Sequence, residues 1–146
     1  MTIVEHVHAE SEAGALRRDV ITMNWEERRQ GHGRRKSDGG VAFAISLPQG
    51  TVLKEGDCFR LSQEGVAVIV REAAEPVYVV TPQTPQDWAY YAYHVGNLHQ
   101  SVMIGPAELV FLQNAAVKNL LDQLQVPYQT GLRPFRAALT GHNHRP

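Results

Sequence analysis

Between Val41 and Leu47 the chain alternates: Val41, Phe43, Ile45 and Leu47 are bulky and apolar, while Ala42, Ala44 and Ser46 are small. Successive side chains on a strand point to opposite faces, so a period of two predicts a strand with one packed side. Pro48-Gln49-Gly50 then ends it. Asp19 to Trp25 is rich in β-formers and predicts another strand. Cys58 to Ser62 and Val66 to Arg71 predict two more, joined by a hairpin at Gln63-Glu64-Gly65 and preceded by a turn at Lys54 to Asp57. Short strands with frequent turns point to a small sandwich or barrel.

The period then changes. Pro76 to Thr81 is strand-like, and a helix follows it. Thr84 is placed to cap that helix, Pro85 to open it, and Asp87 to sit near its positive end. Trp88, Tyr91, Ala92 and Val95 fall at helical spacing on one face, and Gly96 is placed to end the helix in a left-handed residue. Gln100 to Ile104 and Ala107 to Leu112 are extended around Gly105-Pro106. Asn114 caps a second helix with Val117, Leu120, Leu121 and Leu124 as its apolar stripe. Val126 to Thr130 and Phe135 to Leu139 read as extended. The order β-α-β-β-α-β is ferredoxin-like. The chain is thus expected to be α+β, with a β-rich domain over residues 1–74 and a ferredoxin-like domain over 75–146, and with no long linker between them.

Composition narrows the function. The 146 residues are 43% hydrophobic, enough for packed cores. The net charge of −1 argues against a general polyanion binder. A single cysteine, Cys58, allows no intramolecular disulfide, which fits a reducing compartment and equally a periplasmic protein that needs none. The N-terminus carries acidic residues and no long apolar run, and no stretch approaches the roughly 20 apolar residues of a membrane span. A cytoplasmic protein with no membrane or nucleic-acid partner is the expectation.

The seven histidines are unevenly placed. His99 follows the first helix of the second domain by the turn Gly96-Asn97-Leu98. Neutral imidazole suits Ni²⁺, Cu²⁺ or Zn²⁺. Gly96 and Asn97 both tolerate left-handed backbone, so the turn can aim the ring outward. One histidine holds no metal tightly, though, and the spacing alone favours a loop histidine bonded to backbone. A two-fold axis at His99 would double the ligand count. His142 and His144 form an H-x-H pair at the end of the chain, readable as auxiliary metal ligands or as a solvated tail. His6 and His8 would share a face if residues 3–8 formed one strand; they read as solvated or as a weak secondary site. His94 lies off the apolar face of its helix and reads as exposed or as an interface hydrogen-bonder. Residues 25–36 hold the one strong charge cluster, with Arg28, Arg29, Arg34, Arg35 and Lys36, either a grip for an acidic partner or a solvated connection between strands. Cys58 reads as a small buried hydrophobe. No nucleophile-base set or paired-carboxylate arrangement stands out, so no enzyme is indicated.

Taken together, these segments resemble a known family. Trp25-Glu26-Glu27-Arg28, followed by Arg34-Arg35 and Ser37-Asp38-Gly39, is similar to the W-x-x-R…R…(T/S)-D-x-G region of the UreE family of urease accessory proteins. Leu47 to Asp57 resembles its L-P-x-G-x-x-L-x-x-G-D stretch, and Tyr93 to His99 its Y-H-L-G-N-R-H signature. The likeness runs in order over nearly the whole chain. It implies an N-terminal domain similar to a chaperone peptide-binding fold and a C-terminal domain that forms a homodimer. It implies Ni²⁺ held between protomers by His99, with His142 and His144 as auxiliary ligands, and Zn²⁺ or Cu²⁺ accepted in vitro. It also implies delivery to a GTPase partner and the apo-urease complex. Leu98 departs from the family's Arg, and Glu108 to Gln113 lacks the extra histidines of some relatives. The alternative reading is an RNA-binding module that uses the ferredoxin-like sheet and the Arg28–Lys36 cluster.

Overall fold

Residues 1–138 are described by the computed structural model. The chain divides into two units, Met1–Ala73 and Ala74–Pro146.

The first unit holds β1 (Ile3–Val4), β2 (His8–Ala9), β3 (Arg17–Met23), α1 (Trp25–Arg28), β4 (His32–Lys36), β5 (Ala42–Ser46), β6 (Asp57–Leu61) and β7 (Val66–Glu72). One sheet has the order β1-β5-β4 and the other β2-β6-β7-β3. The pairs β1–β5 and β3–β7 are parallel and the rest antiparallel. Phe43 and Ile45 of one sheet share a single apolar cluster with Ile21, Met23, Phe59, Leu61, Val66, Val68 and Val70 of the other. The rings of Phe43 and Phe59 meet across it with centroids 5.4 Å apart. This is the small sandwich that the alternation predicts.

Three local expectations are corrected. The strand read over Asp19 to Trp25 stops at Met23, because Asn24 starts a helix instead. Asn24 Oδ1 accepts from Glu27 N at 2.8 Å, and Glu27 Oε1 accepts from Asn24 N at 2.9 Å, a reciprocal cap that fixes one helical turn. Residues 3–8 do not form one strand: β1 pairs with β5 and β2 with β6, in different sheets, so His6 and His8 share no strand face. The basic cluster is not one surface either. Residues 32–36 are a strand, and Arg28 is 1% exposed. Its Nη1 lies 3.4 Å from Glu72 Oε2, whose side chain is equally buried, and its Nε donates to Met23 O at 3.3 Å.

A clasp joins the two sheets. Ser37 Oγ donates to Asp19 Oδ2 at 2.6 Å and accepts from Val41 N at 2.8 Å. Next to it, Thr22 Oγ1 donates to Asp38 Oδ2 at 2.7 Å, and Asp38 N donates to Val20 O at 2.8 Å. The β4–β5 turn is thereby pinned to β3. A Cβ at Gly39 would stand 2.5 Å from Asp19 Oδ2, so the clasp needs glycine there.

The second unit holds β8 (Ala74–Val80), α2 (Pro85–Gly96), β9 (Met103–Ile104), β10 (Leu109–Leu112), α3 (Ala115–Gln123) and β11 (Gln129–Pro134). Its antiparallel sheet has the order β11-β8-β10-β9, the ferredoxin-like arrangement. Tyr78, Val80, Leu109 and Phe111 form one face and pack with Val95, Val117 and Leu121 of the helices. The last strand, Gln129–Pro134, takes in the end of the first extended segment read from the sequence and runs on to Pro134; Phe135 to Ala138 are not strand, and Leu139 lies outside the described residues. Val126 instead closes α3: Gln125 is left-handed (φ 55), Gln125 N donates to Asp122 O at 3.1 Å, and Val126 N donates to Leu121 O at 2.9 Å, the paired bonds of a Schellman end.

Asp19 supplies a pH test. The Ser37 hydroxyl, with the N–H groups of Val20 and Gly39, holds its carboxyl below the ordinary carboxylate range. A depressed folded value means the stabilisation is present above the unfolded value near ~3.9 and is lost as pH falls through the folded one. Asp19→Asn is expected to destabilise the sandwich by about 1 kcal/mol at neutral pH. Urea unfolding should show that gap close below about pH 4; a gap that persisted at acid pH would mean the carboxylate charge is not what holds the clasp.

Candidate metal-binding residues

The helix that carries the best candidate is fixed at both ends. Thr84 Oγ1 accepts from Asp87 N at 3.0 Å, and Pro85 occupies the first turn. Trp88, Tyr91 and Val95 face the core; Ala92, expected beside them, is exposed. The C-terminal end differs from the sequence reading. Gly96 stays helical and Asn97 is right-handed. Leu98 N donates to Val95 O at 3.0 Å and His99 N to Gly96 O at 3.2 Å, and the left-handed residue is His99 itself, at φ 54.

His99 is exposed, but its neighbours are held. Leu98 packs against the core of the unit. The family's Arg at this position is thus replaced here by an anchor. On the other side, Gln100 Oε1 accepts from Asn114 Nδ2 at 3.2 Å, while Asn114 Oδ1 caps α3 by accepting from Val117 N at 2.9 Å. The sequence shows Asn114 as a cap; its second bond, to the His99 turn, depends on tertiary placement. A residue with a Cβ in the left-handed region costs roughly 1 kcal/mol relative to glycine. Such a cost, met at an exposed imidazole, marks a position worth testing for function.

The other histidines are placed differently. His94 is half-buried on the outer side of α2, with its ring centroid 4.5 Å from Tyr90 and 5.2 Å from Tyr93. His8 Nδ1 is 3.4 Å from Glu12 Oε2, and His32 Nδ1 is 3.5 Å from Ser46 Oγ. His142 and His144 lie outside the described residues. The chain leading to them is tied close to the His99 turn, since Ala138 N donates to Val102 O at 2.8 Å. Cys58 is fully buried beside Ala13, Ala67 and Ile69, and burial pushes its thiol up. It is therefore a poor source of a thiolate ligand. Among the described residues, no three His, Cys, Asp or Glu side chains converge on a common point. A metal site built on His99 needs donors from the tail or from another copy.

A β-sandwich followed by a ferredoxin-like unit that displays a backbone-fixed histidine defines the architecture. The UreE urease accessory protein N-terminal domain matches residues 1–73, and the UreE urease accessory protein C-terminal domain matches residues 75–145. The chain belongs to the UreE family of urease accessory proteins. The urease accessory protein UreE of Nostoc punctiforme is 33% identical over 130 residues, covering 86% of each chain. That of Lysinibacillus sphaericus is 28% identical over 144 residues, covering 97% of each. That of a Synechococcus is 32% identical over 125 residues, covering 85% of this chain and 83% of the relative. The family is named for an accessory role to urease. Among the described residues, no helix is long and apolar enough to cross a membrane.

The backbone at His99 can be tested apart from any ligand. His99→Ala is expected to be less stable than His99→Gly by about 0.5–1 kcal/mol. Thermal unfolding of metal-free protein reads the difference. Equal stability of the two variants would mean the turn carries no left-handed strain.

Proposed function

We propose that this protein is a nickel carrier for urease maturation, in which His99 from each of two protomers holds Ni²⁺ at a shared site and His142 and His144 add ligands from the tail. Nickel is cargo here, not a resident cofactor. The reading is supported above all by His99: an exposed imidazole, at a costly backbone position, between two anchored neighbours, in a member of the UreE family. Residues 75–146 would bind metal and dimerise. Residues 1–74 would meet the GTPase partner or the apo-urease complex in the cytoplasm. Imidazole ligands suit a carrier, because they bind Ni²⁺ yet can be exchanged one at a time with a recipient. Zn²⁺ or Cu²⁺ would enter the same site in vitro. The RNA-binding alternative gains nothing from the sheet. Tyr78, its candidate stacking residue, is buried under the helices with its ring 5.0 Å from Tyr128, whereas base stacking needs exposed aromatics.

From Ala138, His142 can reach about 14 Å at full extension, and Ala138 is bonded to Val102, close in sequence to His99.

Calorimetric titration is expected to find one tight Ni²⁺ per dimer. His99→Gly, which removes the imidazole without straining the turn, should weaken binding by roughly 100-fold or more, since loss of groups that merely orient a ligand already costs 10- to 100-fold. Deleting residues 142–146 should weaken it less. Tight binding that survived His99→Gly and vanished with the tail would move the primary site to the tail.

Acid should release the metal. Ligating imidazoles must be neutral, and a free imidazole titrates near ~6.5. Apparent nickel affinity is therefore expected to fall steeply as pH drops through that region. A constant affinity between about pH 8 and pH 5 would exclude histidine ligation.

A further inference from the structure

Among the described residues, β4 ends its sheet and pairs only with β5. Leu47 N donates to Gly31 O and Ser37 N to Val41 O, so the odd-numbered positions of this stretch face β5. Backbone groups alternate in direction along an antiparallel strand. Those of Gln30, His32, Arg34 and Lys36 therefore point away from the sheet. A row of this kind is a template for pairing with another chain.

Three of these four outward carbonyls are already taken, however. Arg35 Nη1 donates to Arg34 O at 2.8 Å, and Nη2 donates to Gln30 O at 2.9 Å and to His32 O at 3.4 Å. In register, Arg35 lies opposite Phe43 and Gly33 opposite Ile45, both of them buried. Arg35 thus leaves the strand on its core-facing side and crosses Gly33 to reach the edge. A Cβ at Gly33 would stand 3.1 Å from Arg35 Nη1, and Gly33 has φ +121, a backbone that side chains rarely permit. The glycine and the arginine serve one arrangement.

We propose that Arg35 is an edge cap, which keeps β4 from pairing with the β4 edge of a second copy of this chain. Two identical edges run antiparallel are self-complementary: His32, Arg34 and Lys36 of one copy would face the same three of the other in reverse order. An inward-pointing charge on an edge strand is one of the means by which native sheets prevent this. Exposed Arg34 and Lys36 add like-charge repulsion, which salt screens; the three carbonyl bonds do not depend on it.

Sedimentation velocity in about 0.5 M salt, with chelator present to remove metal, tests the cap. Arg35→Ala is expected to raise the weight-average mass at least about twofold over the natural chain at equal concentration. Arg35→Lys keeps the charge but cannot span three carbonyls, and should also associate. Adding Arg34→Pro to Arg35→Ala removes an outward N–H at the centre of the edge and should restore the original mass. Arg35→Ala or Arg35→Lys with unchanged circular dichroism and unchanged mass would overturn the proposal. So would association that Arg34→Pro fails to reverse, because the exposed surface would then lie elsewhere. If neither Arg35 variant folds, Arg35 is a residue of the fold itself and the edge-cap role is likewise overturned.

Discussion

The first unit depends on a buried ion pair. The side chains of Arg28 and Glu72 are each 1% exposed and lie 3.4 Å apart. Removing two such charges from water costs several kcal/mol per ion, and their attraction offsets this only when the remaining donors and acceptors are also met. The surroundings meet them. Met23 O accepts from Arg28, the guanidinium lies 5.4 Å from the centre of the Trp25 ring, and Glu72 Oε2 accepts from Glu55 N at 3.1 Å. Glu55 returns the contact by accepting from Glu72 N at 2.8 Å and also approaches Arg71 at 3.4 Å. The short helix, the turn before β6 and the end of β7 are thereby fixed together. Such a pair adds little net stability over an apolar replacement; its effect is to admit one arrangement, since any other leaves a buried charge alone.

The family-like motifs of the first unit supply much of this scaffolding. Trp25 and Arg28 build the ion-pair site. Ser37, Asp38 and Gly39 form the clasp to β3. Leu47 and Leu53 are core residues, and Gly50 and Gly56 take positive φ, at 86 and 88, in the turns between strands. Asp57 accepts from Lys54 N at 2.9 Å and closes the second of those turns. In this unit the motif residues serve folding, and a basic run in sequence says little about a basic surface.

Strands whose alternation is strong, such as 41–47, were readable because one face is buried and the other is not. The helices were readable because Thr84 and Asn114 announce themselves as caps. The failures share a cause. Asn24 looks like part of a β-rich run until its reciprocal bond with Glu27 is visible, and Gly96 looks like the residue that must be left-handed until the turn beyond it is closed. Local propensity allowed both, and tertiary packing chose. His99 could be singled out from its signature, but neither its backbone strain nor the Leu98 and Gln100 anchors were legible. Those depend on contacts with the core and with Asn114, which no local spacing encodes.

The two units therefore treat their polar groups in opposite ways. The first buries one charged pair, Arg28 with Glu72, and covers three outward carbonyls of its β4 edge with its own arginine. In the second, His99 is solvent-exposed at the end of a packed helix. For a carrier of the proposed kind this difference has a kinetic meaning. Metal transfer requires that ligands leave one at a time while the scaffold stays folded. A histidine on a rigid turn loses little conformational freedom when it binds, and so gives affinity from the first contact. With Cys58 sealed in an apolar cluster, no described thiol is placed to compete with an imidazole for such a cargo.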